Sequence, residues 1–392
     1  MTTLHILTGE YPPQPGGVSD YCAQIARGWA AAGGTVHVWC PGADGNTVEP
    51  GGVEVHRRSG LFRPRGLARL GTALAGWSAP RRVLLQYAPN ALGMRGMNLP
   101  ACLWLLARAR RDDIRVMFHE PYLYFGWRRP QRNLLALVQR VMAVCLLGAS
   151  RRVYVSSATW ERYLSPFMWL GARQLMWLPV PSTVPRTEDT DAVARCRRRL
   201  RGGDADTAVV GHFGTYGEHI RPRVAACFVT LAARRPSLRF LCLGHHSDRF
   251  AADLTRRHPT LDGRLLHAAD LPADEVAVHL RACDVVVQPF VDGVTTRRTS
   301  LMAALINGCP VVTTRGALTE EIWDETAGVA LAPAGDDAAL AELTEALLDD
   351  PDRRSALARD GRRLYETRFA LTHVISHLDD RPDNPPPPSS PW

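Results

Sequence analysis

Short apolar runs alternate with amphipathic stretches along nearly the whole chain, the pattern of parallel sheets flanked by helices. In the first half, strands are predicted at 4–10, 35–41, 53–58, 82–88, 114–120, 152–158 and 174–180, with helices such as Tyr21–Ala32 and Arg132–Leu147 between them. The segment 181–206 opens on a Pro-, Thr- and acid-rich stretch without an apolar period and reads as a linker. Strands then resume at 208–215, 238–244, 265–271, 284–290, 310–314 and 328–334. Only helical patterns follow, at Asp337–Leu348, Arg353–Arg368 and Thr372–Leu378. The expected organisation is a first α/β domain over 1–180 and a second over 207–352. Helices over 353–380 are expected to return toward the first domain, and the Pro-rich tail 381–392 is expected to be disordered. Doubly wound domains place ligand sites at the carboxyl ends of their strands, and two such domains facing each other would share one cleft.

Composition narrows the chemistry. All 47 basic residues of the 392 are arginine, so no lysine is present for a P-loop or a Schiff base. Any phosphate clamp has to come from Arg, backbone amides and hydroxyls. The net charge of +8 favours anionic partners, but the arginines are scattered and no nucleic-acid signature accompanies them. None of the nine cysteines forms a CxxC pair, so buried reduced thiols are expected. No signal-peptide pattern precedes the first strand, and the longest apolar run, Asn133–Ala149, is broken by Gln139 and Arg140 and reads as too short for a bilayer. These features predict a cytoplasmic protein.

Four stretches, each just after a predicted strand, carry the candidate chemistry. In GEYPPQPGGVSDY (9–21), Gly16 and Gly17 precede a helix expected to start near Ser19, so backbone amides are placed to approach an anion, with Glu10 and Asp20 beside them. A tight strand-to-helix turn would use the same glycines. In FHEPYLYFGW (118–127), His119 and Glu120 end a buried strand and Tyr122, Tyr124 and Trp127 follow, a set suited to sugar contact or to a small satellite core. HFGTYGEHIRPR (212–223) repeats the strand–glycine–helix plan, with Thr215 in its turn and Arg221 and Arg223 within reach of a diphosphate. PFVDGVTTRRTSLMAALINGCPVV (289–312) runs Arg297 and Arg298 into a two-turn helix with Thr299 or Ser300 as N-cap and Gly308-Cys309-Pro310 as its stop. Cations at a helix N-terminus cost about 0.3–1 kcal/mol each unless an anion is near. The pair therefore points to a bound anion, or to an ion pair with Asp292.

Taken in this order, the four stretches resemble glycosyltransferase family 4, whose members have the GT-B fold, two Rossmann-like domains facing an interdomain cleft. The resemblance runs from EYPPQPGGVSDY to ARDGRRLYETRF (358–369) and includes GCPVVTTRGALTEEI (308–322). It implies retaining transfer of a sugar from a nucleoside diphosphate donor, with no metal and no other cofactor. It implies donor contacts from Gly16, Gly17, Thr215, Arg221, Gly293, Arg297, Thr299, Ser300 and Leu301, with His119, Arg298 and Asp292 at the reacting centre. Glu10, Asp20, Tyr122, Tyr124 and Trp127 are implied on the acceptor side.

The family's two glutamates around this helix are replaced, by Ala303 and either Thr295 or the Asp292-Gly293 pair. The family's Arg and Lys after the glycine turn of the second domain are also missing, with Thr215 at the Arg position, no lysine, and Arg221 as the nearest substitute. A subgroup reading DGVSxRRxSL resembles this chain more closely, which suggests that Arg297 or Arg298 supplies that lost positive charge. The altered glutamates also admit a catalytically silent GT-B nucleotide-binding or scaffold protein, and a GT-B nucleotide-sugar epimerase is a third reading. The acceptor, whether lipid, polysaccharide or small molecule, is not specified. Peripheral contact with the inner membrane surface is left open by Arg-rich apolar segments at 61–70 and 127–132.

Overall fold

The computed structural model describes residues 3–14, 16–126, 130–170 and 175–379. The chain divides into two compact units, one of residues up to Val180 together with those from Leu371 onward, the other spanning Pro181–Ala370.

The first unit is built on an eight-stranded sheet. Its elements are β1 (Leu4–Thr8), α1 (Gly17–Ala31), β2 (Val36–Pro41), β3 (Gly45–Glu49), β4 (Val53–Arg58), α2 (Pro64–Leu74), β5 (Arg82–Tyr87), α3 (Leu99–Arg108), β6 (Asp113–Phe118), α4 (Pro130–Ala149), β7 (Arg152–Val155), α5 (Ala158–Leu164) and β8 (Leu175–Trp177). The strand order is β3-β4-β2-β1-β5-β6-β7-β8, parallel except for β3. Strands such as β1 and β6 are buried at every position because helices cover both faces. One face packs against α2, α3 and α4 and the other against α1.

The second unit follows the same plan, with α6 (Thr190–Leu200), β9 (Val209–Phe213), α7 (Arg221–Arg234), β10 (Arg239–Leu243), α8 (Ser247–Arg257), β11 (Leu265–Ala268), α9 (Ala273–Ala282), β12 (Val285–Gln288), α10 (Thr299–Ile306), β13 (Val311–Arg315), β14 (Ala330–Pro333), α11 (Asp337–Asp349) and α12 (Pro351–Leu364). Its six strands are parallel in the order β11-β10-β9-β12-β13-β14. A last helix, α13 (Leu371–Asp379), belongs to the first unit. There Val374, Ile375 and Leu378 enter the core beside α1, at a point where a Cβ on Gly28 would lie 3.0 Å from Leu371 Cδ2. Arg82 and Arg115 each donate to the Leu378 carbonyl at 2.9 Å and so cap the C-terminal end of α13.

Several expectations are corrected. Residues 190–200, placed in a linker, form α6. The acids that made the stretch look unstructured are its cap, Asp189 accepting from Ala192 N at 2.8 Å, and Val193, Cys196 and Leu200 supply a buried stripe. Strand β3 was not expected, because its residues are almost all exposed and lack an apolar alternation. The segment 61–70 is not a lipid contact: Leu61, Phe62, Leu67 and Leu70 are core residues. The companion segment 127–132 and the tail 381–392 lie wholly or mostly outside the described residues. The apolar run at 133–149 sits in a 20-residue helix, long enough to cross a membrane by length and composition, yet Ala136, Met142, Ala143, Leu146 and Leu147 are buried in the core.

Candidate active site

In open parallel sheets the ligand crevice lies past the carboxyl ends of the strands where their order reverses. In the second unit that point falls between β9 and β12, and in the first between β1 and β5. Three of the four candidate loops leave these switch strands, and the fourth, holding His119, leaves β6 next to β5.

At the second unit's switch point, Gln288 ties the parts together. Its Nε2 donates to the Phe213 carbonyl at the end of β9, at 3.0 Å, and its Oε1 accepts from Ser300 Oγ at 3.3 Å. The loop from 289 to 298 is then strapped to β13 and to the loop after it. Leu318 N donates to the Asp292 carbonyl at 2.8 Å, and Val294 N to the Thr314 carbonyl at 2.8 Å. Gly293 has φ +92°, and a Cβ there would lie 2.2 Å from Thr319 Oγ1 and 2.4 Å from Gly316 N. Only glycine fits that crossing. Beneath it, buried Glu320 accepts from Thr296 N, from Thr296 Oγ1 at 2.8 Å and from Trp323 Nε1 at 3.4 Å. Motif reading missed Glu320 and Gln288 as organisers, since their partners lie 24 and 12 residues away on other elements.

The start of α10 differs from its expected form. Neither Thr299 nor Ser300 caps it; Arg298 holds the N-cap position, and no side chain accepts from the first turn. The Ser300 hydroxyl is instead turned to Gln288. Among the described residues no acceptor meets the amides of Thr299, Ser300 and Leu301, so three N–H groups and the positive end of the helix dipole stand open. Arg298 adds a guanidinium 4.6 Å from the centre of the Phe290 ring. Among the described residues no carboxylate forms an ion pair with it, and its buried Nε has no partner. Burial, and then the neighbouring charge of Arg297, hold the Arg298 pKa below its ordinary value, with Asp292 opposing them. The expected Asp292 ion pair is therefore not made with Arg298. Thr295 and Ala303 are both buried, and Thr295 Oγ1 has no partner among the described residues.

The loop after β9 contributes less than its sequence suggested. Thr215 is exposed in the turn, while Tyr216 takes the left-handed conformation at φ +53° and donates its hydroxyl to the His212 carbonyl. Arg221 stands 3.5 Å from Asp253, and Arg223 pairs with Asp337 at 2.9 Å. The Asp253 contact is long and Arg221 remains partly exposed, so Arg221 keeps some freedom to meet an anion, while Arg223 is committed to a partner.

In the first unit, α1 begins at Gly17 rather than Ser19, because Ser19 Oγ donates back to the Gln14 carbonyl at 2.6 Å. A Cβ on Gly16 would sit 2.8 Å from Glu10 Oε2, whereas Gly17 faces open space. Burial raises the Glu10 carboxyl, and the charge of Glu120 raises it further. Asp20 is exposed. His119 is buried one residue past β6, with Nε2 2.8 Å from Gln86 Oε1 and its ring edge-on to Tyr21 at 5.0 Å. The aromatics divide. Tyr122 donates to the Tyr163 carbonyl at 2.6 Å beneath the Arg140 guanidinium and packs half-buried against the first unit's core, so its hydroxyl is already engaged. Tyr124 stays exposed, and Trp127 lies outside the described residues.

Comparison with known proteins now bears on these two loop sets. The family described as Glycosyltransferase Family 4 matches residues 15–168, and Glycosyl transferases group 1 matches residues 207–350. The chain belongs to glycosyltransferase family 4. Among solved structures, this family 4 chain is similar to sucrose-phosphate synthase from Thermosynechococcus elongatus at a TM-score of 0.71 and 17% identity, over 97% of this chain and 98% of that one. It is also similar to HepE of Anabaena in complex with UDP, at a TM-score of 0.65 and 17% identity, over 97% and 98%. These likenesses give the fold as GT-B, two Rossmann-like units. A curated relative, the 2-deoxystreptamine glucosyltransferase of Streptomyces kanamyceticus, is 29% identical over 52% of this chain and 54% of its own length. The chain thus spans about half the length of the curated relative it matches.

Proposed function

We propose that the protein is a retaining glycosyltransferase that moves a sugar from a nucleoside diphosphate sugar to an acceptor, with no metal ion at the donor diphosphate. The observation that carries this reading is the open start of α10, three unclaimed amides beside an Arg298 guanidinium that has no ion-pair partner among the described residues. A diphosphate would accept from those amides and from the arginine, and the charge that builds on it as the glycosidic bond breaks would meet donors already in position. Arginine binds phosphate oxygens through a planar fork, so it supplies both charge and direction. In this reading Arg298, with Arg297 beside it, supplies the positive charge of the family's Arg and Lys clamp, lost here with Thr215 at the Arg position and no lysine in the chain, as in the DGVSxRRxSL-like subgroup. Asp292 tunes the charge, Gly293 fixes the loop, and Arg221 assists from the start of α7. In the first unit, Gly17 offers its amide to the donor, His119 contacts the transferred sugar, and Glu10, with its raised carboxyl, would accept a proton from the acceptor hydroxyl.

HepE has been solved with UDP and the curated relative is a glucosyltransferase, which support UDP-glucose as the first donor to try. The test is incubation with UDP-glucose and EDTA, with and without candidate acceptors, and analysis of the sugar products. Release or transfer of glucose with the α configuration kept supports the reading. Conversion of the donor to another nucleotide sugar would make the protein an epimerase. Failure to consume any nucleoside diphosphate sugar in a wider panel would favour a silent binding protein.

A further inference from the structure

Away from the strand-end loops, β1, β2 and β4 gather a compact set of imidazoles and one carboxylate. In register, His5 stands beside His37, His37 beside Glu54, and Trp39 beside His56. Side chains two residues apart on a strand share a face, so Glu54 and His56 project together toward His37. Trp77 closes on this patch, its ring centre 4.7 Å from that of His37 and 4.8 Å from that of His5. His37 and His56 are buried, while the Glu54 side chain is 45% exposed.

The three converging atoms have metal-like spacing. His37 Nδ1 lies 3.1 Å from His56 Nε2 and 3.2 Å from Glu54 Oε2, and His56 Nε2 lies 3.8 Å from the same carboxylate oxygen. Ligands placed tetrahedrally around zinc at its usual bond lengths of about 2.0–2.1 Å sit about 3.3–3.4 Å apart. The set can therefore close around an ion with shifts of a few tenths of an ångström.

The proton of His56 is also placed by its neighbours. Arg58 Nη2 donates to Asn46 Oδ1 at 2.8 Å, and because an arginine cannot accept, that atom is the amide oxygen. His56 Nδ1 is 3.1 Å from the same oxygen and must donate to it. A neutral His56 then carries its lone pair on Nε2, the atom facing His37 and Glu54. This is how protein metal sites orient an imidazole ligand, through a hydrogen bond from its second nitrogen.

We propose that His37, Glu54 and His56 form a binding site for a first-row divalent cation, zinc foremost, with a fourth position open to water on the Glu54 side. Two imidazoles and one carboxylate suit zinc over magnesium or calcium, which take oxygen ligands. The site lies within β2 and β4, not in the loops that follow the strands, so the bound ion ties two neighbouring strands and, through Asn46, the edge strand β3. It takes no part in binding a donor diphosphate.

The test uses the full chain freed of metal with EDTA, desalted, and titrated with Zn2+ against a chromophoric chelator and with Co2+ by visible absorption. The expected result is one equivalent of tight binding and a cobalt spectrum without a thiolate charge-transfer band, which sets this site apart from the nine cysteines. Glu54→Gln, a near-isosteric change at a half-exposed side chain outside the core, and His56→Gln should each weaken zinc at least tenfold. Asn46→Ala, which would touch no metal, should weaken it by roughly 10–100-fold because it releases the ring. Circular dichroism of each metal-free variant confirms folding, and Glu54→Gln decides the matter if His56→Gln unfolds. Absence of one-equivalent binding, a thiolate band, or zinc affinity unchanged in Glu54→Gln would overturn the proposal and leave a hydrogen-bonded histidine cluster.

Discussion

Replacing Arg298 with alanine removes one half-buried guanidinium from the start of α10 and leaves the three open amides in place. The loss expected at the transition state is therefore that of one charge-stabilising donor, about 2.7–4 kcal/mol, or roughly 10²–10³ in kcat. Folding should hardly change, because two small effects oppose each other. The contact over the Phe290 ring is lost, worth about 0.5–2 kcal/mol. Against this, burial lowers the Arg298 pKa in the folded state, so the folded chain holds that proton less firmly than the unfolded chain does. At pH 7 the charged group thus carries a folding cost that alanine removes. Steady-state release of nucleoside diphosphate at saturating donor measures the effect, with Tm as the folding control. Arg298→Lys should fall between wild type and alanine, since it keeps the charge but loses the planar fork. Wild-type turnover in a folded Arg298→Ala protein refutes the assignment.

Three further outcomes follow from particular contacts. Gly293→Ala should destabilise by roughly 2–3 kcal/mol, since its Cβ meets Gly316 backbone at 2.4 Å. Gly203→Ala, also at φ +90° but with no atom within 4 Å, is the control for strain alone, and equal losses in urea unfolding would contradict the reasoning. His212 is fully buried and its pKa is lowered by burial from 6.5 to about 3, so the unfolded chain binds the proton first. The stability it contributes is complete above pH 6.5 and is lost as the pH falls, by about 2 kcal/mol at pH 5. His212→Phe should flatten that part of the stability–pH curve, and an unchanged curve would exclude His212 as the cause. Leu134, Leu137 and Val141 of α4 and Leu103 of α3 are exposed, and this apolar surface is where peripheral membrane contact would be tested. Wild type should pellet with anionic vesicles and Leu137→Asp should pellet less, while no pelleting by wild type would end the idea.

What the sequence made legible was whatever local pattern dictates. Runs such as VVVQ in β12 and VVTT in β13 are apolar because parallel strands are covered on both faces, and they locate the sheet and hence the loops that follow each strand. Paired glycines and the Arg-Arg step were visible for the same reason. Errors arose where a polar residue had a tertiary partner. Ser300 looked like a cap, but Gln288 holds its hydroxyl. Tyr122 looked available to a ligand, but its hydroxyl donates to the Tyr163 carbonyl. The acids near residue 190 looked like a linker because the stripe of α6 is only three residues wide and needs α9 to bury it. Glu320 could not be assigned at all, since nothing in TEEIW says that the first glutamate lies under a loop 24 residues earlier.

The most direct test of the central claim is binding. Wild type and Arg298→Ala should be heated with UDP, GDP, ADP or TDP, each in EDTA. A nucleotide at a hundred times its dissociation constant stabilises by about 2.7 kcal/mol, a readily visible rise in Tm. The account predicts that at least one diphosphate, UDP first, raises the Tm of wild type without metal, and that Arg298→Ala loses the response. An equal rise in both proteins, or none in wild type with any of the four, would contradict the assignment of the α10 start as a diphosphate site.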